Sequence, residues 1–83
     1  MNNNFHNKMI LEVRAYAFEK YSFFKAEEQG EKVFQLYHDA PGFSAAYSTV
    51  LLAWLEGKKV TCEFIDQPDG SALVRYVALG VPE

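Results

Sequence analysis

Residues 43–60, FSAAYSTVLLAWLEGKKV, carry the strongest pattern in the chain and read as one helix running into a strand. Phe43, Ala46, Tyr47, Val50, Leu51, Trp54 and Leu55 recur at the spacing of a single helical face. Pro41 and Gly42 keep the chain non-helical just before it, and Ser44 is the expected N-cap. Gly57 suits the left-handed position after the last turn, with Lys58 and Lys59 beside the negative end of the helix dipole. The opposite face, Ala45, Ser48, Thr49, Leu52, Ala53 and Glu56, holds a single charge. A face so poor in charge predicts a covering surface. Two sources remain open: another part of the same chain, or a neighbouring subunit.

The remainder alternates. In residues 8–18, Met9, Leu11, Val13, Ala15 and Ala17 share one face, so this run reads as a strand with its odd positions inward. Residues 21–27 form a second strand around Tyr21, Phe23 and Phe24, and residues 32–38 a third. Gln29-Gly30 marks the turn between those two, so the first three strands read as an antiparallel meander. After the helix, residues 59–66 place Val60, Cys62 and Phe64 inward and Thr61, Glu63 and Ile65 outward. Pro68-Asp69-Gly70 signals a hairpin into a fifth strand, residues 71–80, which is apolar on both faces. Residues 1–7 are polar and read as a flexible arm, or as a peptide docking Phe5 on a neighbour. Residues 8–83 then form a single domain, and 81–83 end the chain.

The order strand-strand-strand-helix-strand-strand makes the class mainly β with one helix, α+β in the broad sense. An OB-like, five-stranded, partly open barrel has this order, with the helix between its third and fourth strands. A flat sheet with the helix across one face is the competing architecture. A long first strand able to bend and serve both halves favours the barrel.

Tyr47, Leu51, Leu52, Ala53, Gly57, Lys58, Lys59 and Val60, in the arrangement YSTVLLAWLEGKKV, resemble the helix-to-strand segment of the small OB-fold B-subunits of A/B-type bacterial toxins. The subtilase-cytotoxin and pertussis-like B-subunits are the relatives in question, and the resemblance spans residues 43–79. It implies the OB fold and a tendency to close into a ring with the helices at its centre. It carries over no glycan-binding residue. Such relatives are secreted and typically hold disulfides, whereas this chain has one cysteine, Cys62, and no apolar leader in residues 1–7. A cytoplasmic location is the default expectation, with secretion open if a leader has been removed.

Composition narrows the function. The 83 residues are 49% hydrophobic and 16% aromatic, a globular rather than disordered balance. Net charge is −3 with no basic block, which argues against a general nucleic-acid binder, whose affinity rests on neutralising phosphates. No apolar run approaches a membrane span, so no insertion is expected. His38-Asp39 is the one adjacent His/acid pair, and His6 is a poor second ligand, so no metal site is expected. Cys62 reads as a buried small hydrophobe rather than a nucleophile, Glu27-Glu28 as a solvated pair, and no catalytic residue or cofactor site stands out.

These readings converge on a non-enzymatic, self-associating binding module, a homo-oligomer through Ala45, Ser48, Thr49, Leu52, Ala53 and Glu56, with a protein or glycan partner. The alternative is an OB-fold that binds oligosaccharide or single-stranded nucleic acid through Tyr16, Phe18, Tyr21, Phe23 and Arg14. A pocket around Trp54 is a third option on which the residues are silent.

Overall fold

The computed structural model describes residues 2–80. It contains β1 (Asn2–Arg14), β2 (Tyr21–Ala26), β3 (Phe34–Tyr37), α1 (Phe43–Glu56), β4 (Lys59–Asp66) and β5 (Ala72–Leu79). The five strands and one helix follow the predicted order. Hydrogen bonding runs β1-β2-β3-β5-β4, and β4 pairs back onto β1, so the sheet closes on itself. All neighbours are antiparallel except β3 and β5, which run parallel and pair only at Phe34 with Ala72 and Gln35 with Leu73. A closed ring has no free sheet edge, and it encloses a core that side chains must fill.

Phe34 lies at the centre of that core and is fully buried. Its ring stacks on Phe24 at 5.2 Å and meets Phe5 and Phe64 edge-on at 5.2 and 5.0 Å. Offset and edge-to-face contacts place positive ring edges against negative faces. Ile10, Leu36, Val60 and Cys62 join the same buried cluster, as do Val50 and Ala53 of α1.

Residues 2–7 are not an arm. They form the first half of β1, paired with β4 from Asn2 opposite Ile65 to Phe5 opposite Cys62. Phe5 is buried in the core, where an arm would have left its ring in water. Met1, like residues 81–83, falls outside the described residues. Poor strand propensity of asparagine is overridden here by pairing and by burial of one ring.

The expected inward face of β1 is also corrected. Ile10 is buried and Leu11 is 61% exposed. The first of two bulges reverses the face at Ile10 and the second restores it, so Val13 packs against the core as expected. Between Phe5 and Lys8 the strand spends one residue more than β4 does, and between Ile10 and Glu12 one more than β2 does. Each extra residue swaps the face that the following side chains take. Asn7 sits in the first bulge at φ 58, and its N–H donates to Thr61 Oγ1 at 3.3 Å. Thr61, expected outward, is fully buried, and its hydroxyl donates to the Gly80 carbonyl at 3.1 Å. On β4, Val60, Cys62 and Phe64 face inward as expected.

α1 closes one end of the sheet. Its N-cap is Gly42, without a side-chain cap bond, so Ser44 lies inside the first turn and is not the cap. Gly57 takes the left-handed conformation at φ 65 as expected, and the Lys58 N–H returns to the Ala53 carbonyl at 2.8 Å. Ala46, Val50 and Ala53 form the inward seam. Ala53, assigned from the sequence to the outer face, is therefore core, because it stands one turn after Val50 on the same side. Trp54 and Leu55 extend away from the core and are exposed.

Three surface carboxylates are held below their ordinary values. Lys8, at 2.6 Å, lowers Glu28 from 4.5. Hydrogen bonding to Lys32 foremost, with Asn3 also donating, lowers Asp66 from 3.8. The Ser71 hydroxyl and then its N–H lower Asp69 from 3.8. A depressed folded pKa means that the stabilisation is fully present above the ordinary carboxylate range and is lost as pH falls through the folded values. The urea midpoint is expected to hold from about pH 7 to about pH 5 and to fall below about pH 4. Asp66→Asn should flatten part of that fall; an identical fall in the variant, or none in the parent at about pH 3, contradicts the assignment.

Candidate ligand-binding face

Alternation on β2 sends Ser22, Phe24 and Ala26 into the core and Tyr21, Phe23 and Lys25 outward. Antiparallel register sets Phe23 beside Arg14 of β1 and Gln35 of β3, and Tyr21 beside Tyr37. Cross-strand neighbours share a face, so Arg14, Tyr21, Phe23 and Tyr37 meet on one outer surface, while Gln35 on the same side is buried and accepts from Gln67 Nε2 at 2.7 Å. The Tyr21 and Tyr37 rings lie 5.5 Å apart, and the Tyr16 and Phe23 rings 5.8 Å apart.

Tyr16 and Phe18 were expected within the first strand. They stand instead in the β1–β2 connection, because β1 ends at Arg14. That connection is anchored from below. The Tyr16 N–H donates to Ser22 Oγ at 3.2 Å, and Ser22 Oγ shares a 2.8 Å hydrogen bond with His38 Nε2. The His38 N–H in turn donates to the Lys20 carbonyl at 2.9 Å. His38 also packs edge-on against Phe43 at 5.0 Å. It is thus a bonded structural histidine that ties the connection, β2 and the start of α1 together. Phe18, by contrast, is 100% exposed, its whole ring presented to water.

Beside the Tyr21–Tyr37 pair lies an open depression of about 400 Å³ lined by Lys20, Tyr37, His38 and Asp39. It adds polar groups to a row of rings. The cations nearby are largely engaged. Arg14 Nε lies 2.5 Å from Glu12 Oε2, and Lys25 Nζ 3.3 Å from Glu31 Oε1. The Arg14 pKa is pushed further up, first by the Glu12 hydrogen bond and then by Tyr16.

Of the residues singled out from sequence, Arg14, Tyr16, Tyr21 and Phe23 therefore meet on one surface, while Phe18 projects from the connection above it. Tyr37 and Asp39 were missed as members of this face, whereas Lys20 stands beside the early-strand rings in the sequence. For Tyr37 the signal was present: it stands opposite in phase to Phe34 and Leu36, which places it outside.

The outer side of α1 presents Ala45, Ser48, Leu52, Leu55 and Glu56, all exposed. Of the face read from the sequence, the chain's own core covers Ala53 and no described element covers Ala45, Ser48, Leu52 and Glu56, so self-coverage accounts for only part of it. Thr49 is half-buried, and its hydroxyl donates back to the Ala45 carbonyl at 2.9 Å.

Cys62 is free and buried. Burial first, and the Glu63 charge second, push its thiol up to about 12, so it stays protonated at neutral pH and is a poor nucleophile. Among the described residues no group of three or more His, Cys, Asp or Glu side chains gathers as a metal site requires. No described helix is long and apolar enough to cross a membrane.

Comparison with known protein families, curated proteins and solved structures finds no match to this chain.

Proposed function

We propose that the chain is an OB-like five-stranded barrel acting as a binding module rather than an enzyme, and that it takes an oligosaccharide on the outer surface of β1, β2 and β3. The strand order β1-β2-β3-β5-β4, the parallel β3–β5 seam and the helix between β3 and β4 support the architecture. Barrels of this kind bind ligands over the second and third strands and the loops beside them. The observation that carries the functional reading is the row of outward rings, Tyr16 with Phe23 and Tyr21 with Tyr37, next to the depression formed by Lys20, His38 and Asp39. Aromatic faces stack on the apolar faces of sugar rings, while hydroxyls need donors and acceptors of both signs, which Lys20 and Asp39 supply.

A sugar is favoured over single-stranded nucleic acid by the charges. Arg14 and Lys25 already pair with Glu12 and Glu31, which weakens any neutralisation of phosphates, and the chain as a whole carries −3. A glycan array followed by calorimetry on the best hit is the test. Tyr37→Ala and Tyr16→Ala are each expected to weaken binding by about tenfold, roughly 1.4 kcal/mol, with circular dichroism unchanged. A blank array with tight binding of a fluorescent oligonucleotide at low salt would replace the sugar by nucleic acid. Blanks in both assays would sink the ligand-binding reading altogether.

A further inference from the structure

We propose that α1 pairs antiparallel with the α1 of a second copy of this chain. The exposed residues Ala45, Ser48, Leu52 and Leu55 follow one another at steps of three, four and three, the spacing of a helix–helix seam. The seam is asymmetric along its length. Its N-terminal half is small, Ala45 and Ser48, and its C-terminal half is large, Leu52 and Leu55. Leu55 is 74% and Leu52 43% exposed, so the two leucines present adjacent apolar surface on one side of the helix.

A twofold axis crossing the helix near residue 50 brings Leu55 of each copy over Ala45 of the other, and Leu52 over Ser48. Large side chains then meet small ones at every level, in both directions, which is the self-complementarity that a twofold interface demands. Parallel helices in register would oppose leucine to leucine and leave alanine and serine facing a gap. The size pattern thus selects one orientation.

Two further features agree with it. Next to Ala45 runs a groove of about 260 Å³ between the first turn of α1 and β5, lined by Gly42, Ala45, Ala46, Arg75, Tyr76 and Val77. In the antiparallel arrangement the incoming Leu55 lies over this groove. The first turn of α1 also has neither a side-chain cap nor an acidic residue, so the helix itself supplies no anion to its positive dipole end. The same geometry delivers Glu56 of the second copy to that end, near the half-exposed side chain of Arg75, which is itself paired with Glu63 at 3.8 Å. Size pattern and shape therefore name one occupant. This surface lies on α1 and is separate from the ring-lined face of β1 to β3, so failure of either reading leaves the other standing.

The contact is one short helix pair, so association is expected between about 10 μM and 1 mM, the weak range for small interfaces. Sedimentation equilibrium of the full chain over that range should give twice the 9.5 kDa chain mass at the top. Leu55→Glu, at an exposed position, should raise the dissociation constant at least about tenfold while leaving circular dichroism and the urea midpoint unchanged. Orientation is read separately by mild oxidation. An Ala45→Cys variant mixed with a Leu55→Cys variant should cross-link to each other, whereas Leu55→Cys alone should not, because the two copies of residue 55 sit at opposite ends of the pair. Monomer mass throughout, association indifferent to Leu55→Glu, a mass above two copies, or self-cross-linking of Leu55→Cys would each overturn the proposal.

Discussion

Phe34→Ala is expected to lower the free energy of unfolding by about 3–5 kcal/mol, the loss seen when a fully buried aromatic leaves a cavity. Phe34 touches three other rings at once, from β1, β2 and β4, so its removal deprives each of them of a contact. Small domains have about 5–15 kcal/mol in total, and a chain of 83 residues belongs near the lower end. The variant should therefore be partly unfolded at room temperature. Urea titration followed by the fluorescence of Trp54 measures this directly. Phe34→Leu keeps more of the volume but loses the three ring contacts, so it should cost less than the alanine variant yet more than about 1 kcal/mol. If the alanine variant loses less than about 1 kcal/mol, the enclosed aromatic core described here is wrong.

Deletion of residues 2–7 is expected to abolish the cooperative unfolding transition. The deletion takes away Phe5 and the pairing that closes β1 onto β4. It also bares the outer edge of β4, which invites pairing between molecules, so aggregation should accompany the loss of structure. Phe5→Ala removes the ring without opening the sheet and should be milder, about 3 kcal/mol. A chain lacking 2–7 that unfolds with the midpoint of the parent would restore the view of these residues as an appended arm. The experiment thus separates the polar composition of the segment from its place in the structure.

That contrast shows how far local pattern reaches. The helical stripe from Phe43, the Gly57 stop, the Pro68-Asp69-Gly70 hairpin and the inward set Val60, Cys62 and Phe64 all follow from spacing within a few neighbouring residues, and all are present. Ala53 was misplaced because the stripe extends past the core. Leu55, counted with it, projects into water, while Ala53 lies under the helix. Of the candidate face, Tyr21 and Phe23 were legible as a strand pair, and Arg14 and Tyr16 as their neighbours. Tyr37 joined them only through the register of β2 with β3, and the depression beside it depends on how Lys20 and Asp39 come together.

By itself, the sequence determined the number, kind and order of the elements, because helix and strand periods are set by neighbours along the chain. It also determined that aromatic residues would crowd the early strands. Only the tertiary structure decided which side of β1 faces inward, since two bulges exist only against the partners β2 and β4. Only it decided that the sheet closes, because the closing pairs, Asn2 with Ile65 through Met9 with Lys59, join positions at nearly opposite ends of the chain. Such pairings gain their free energy from a shared core that no local window contains.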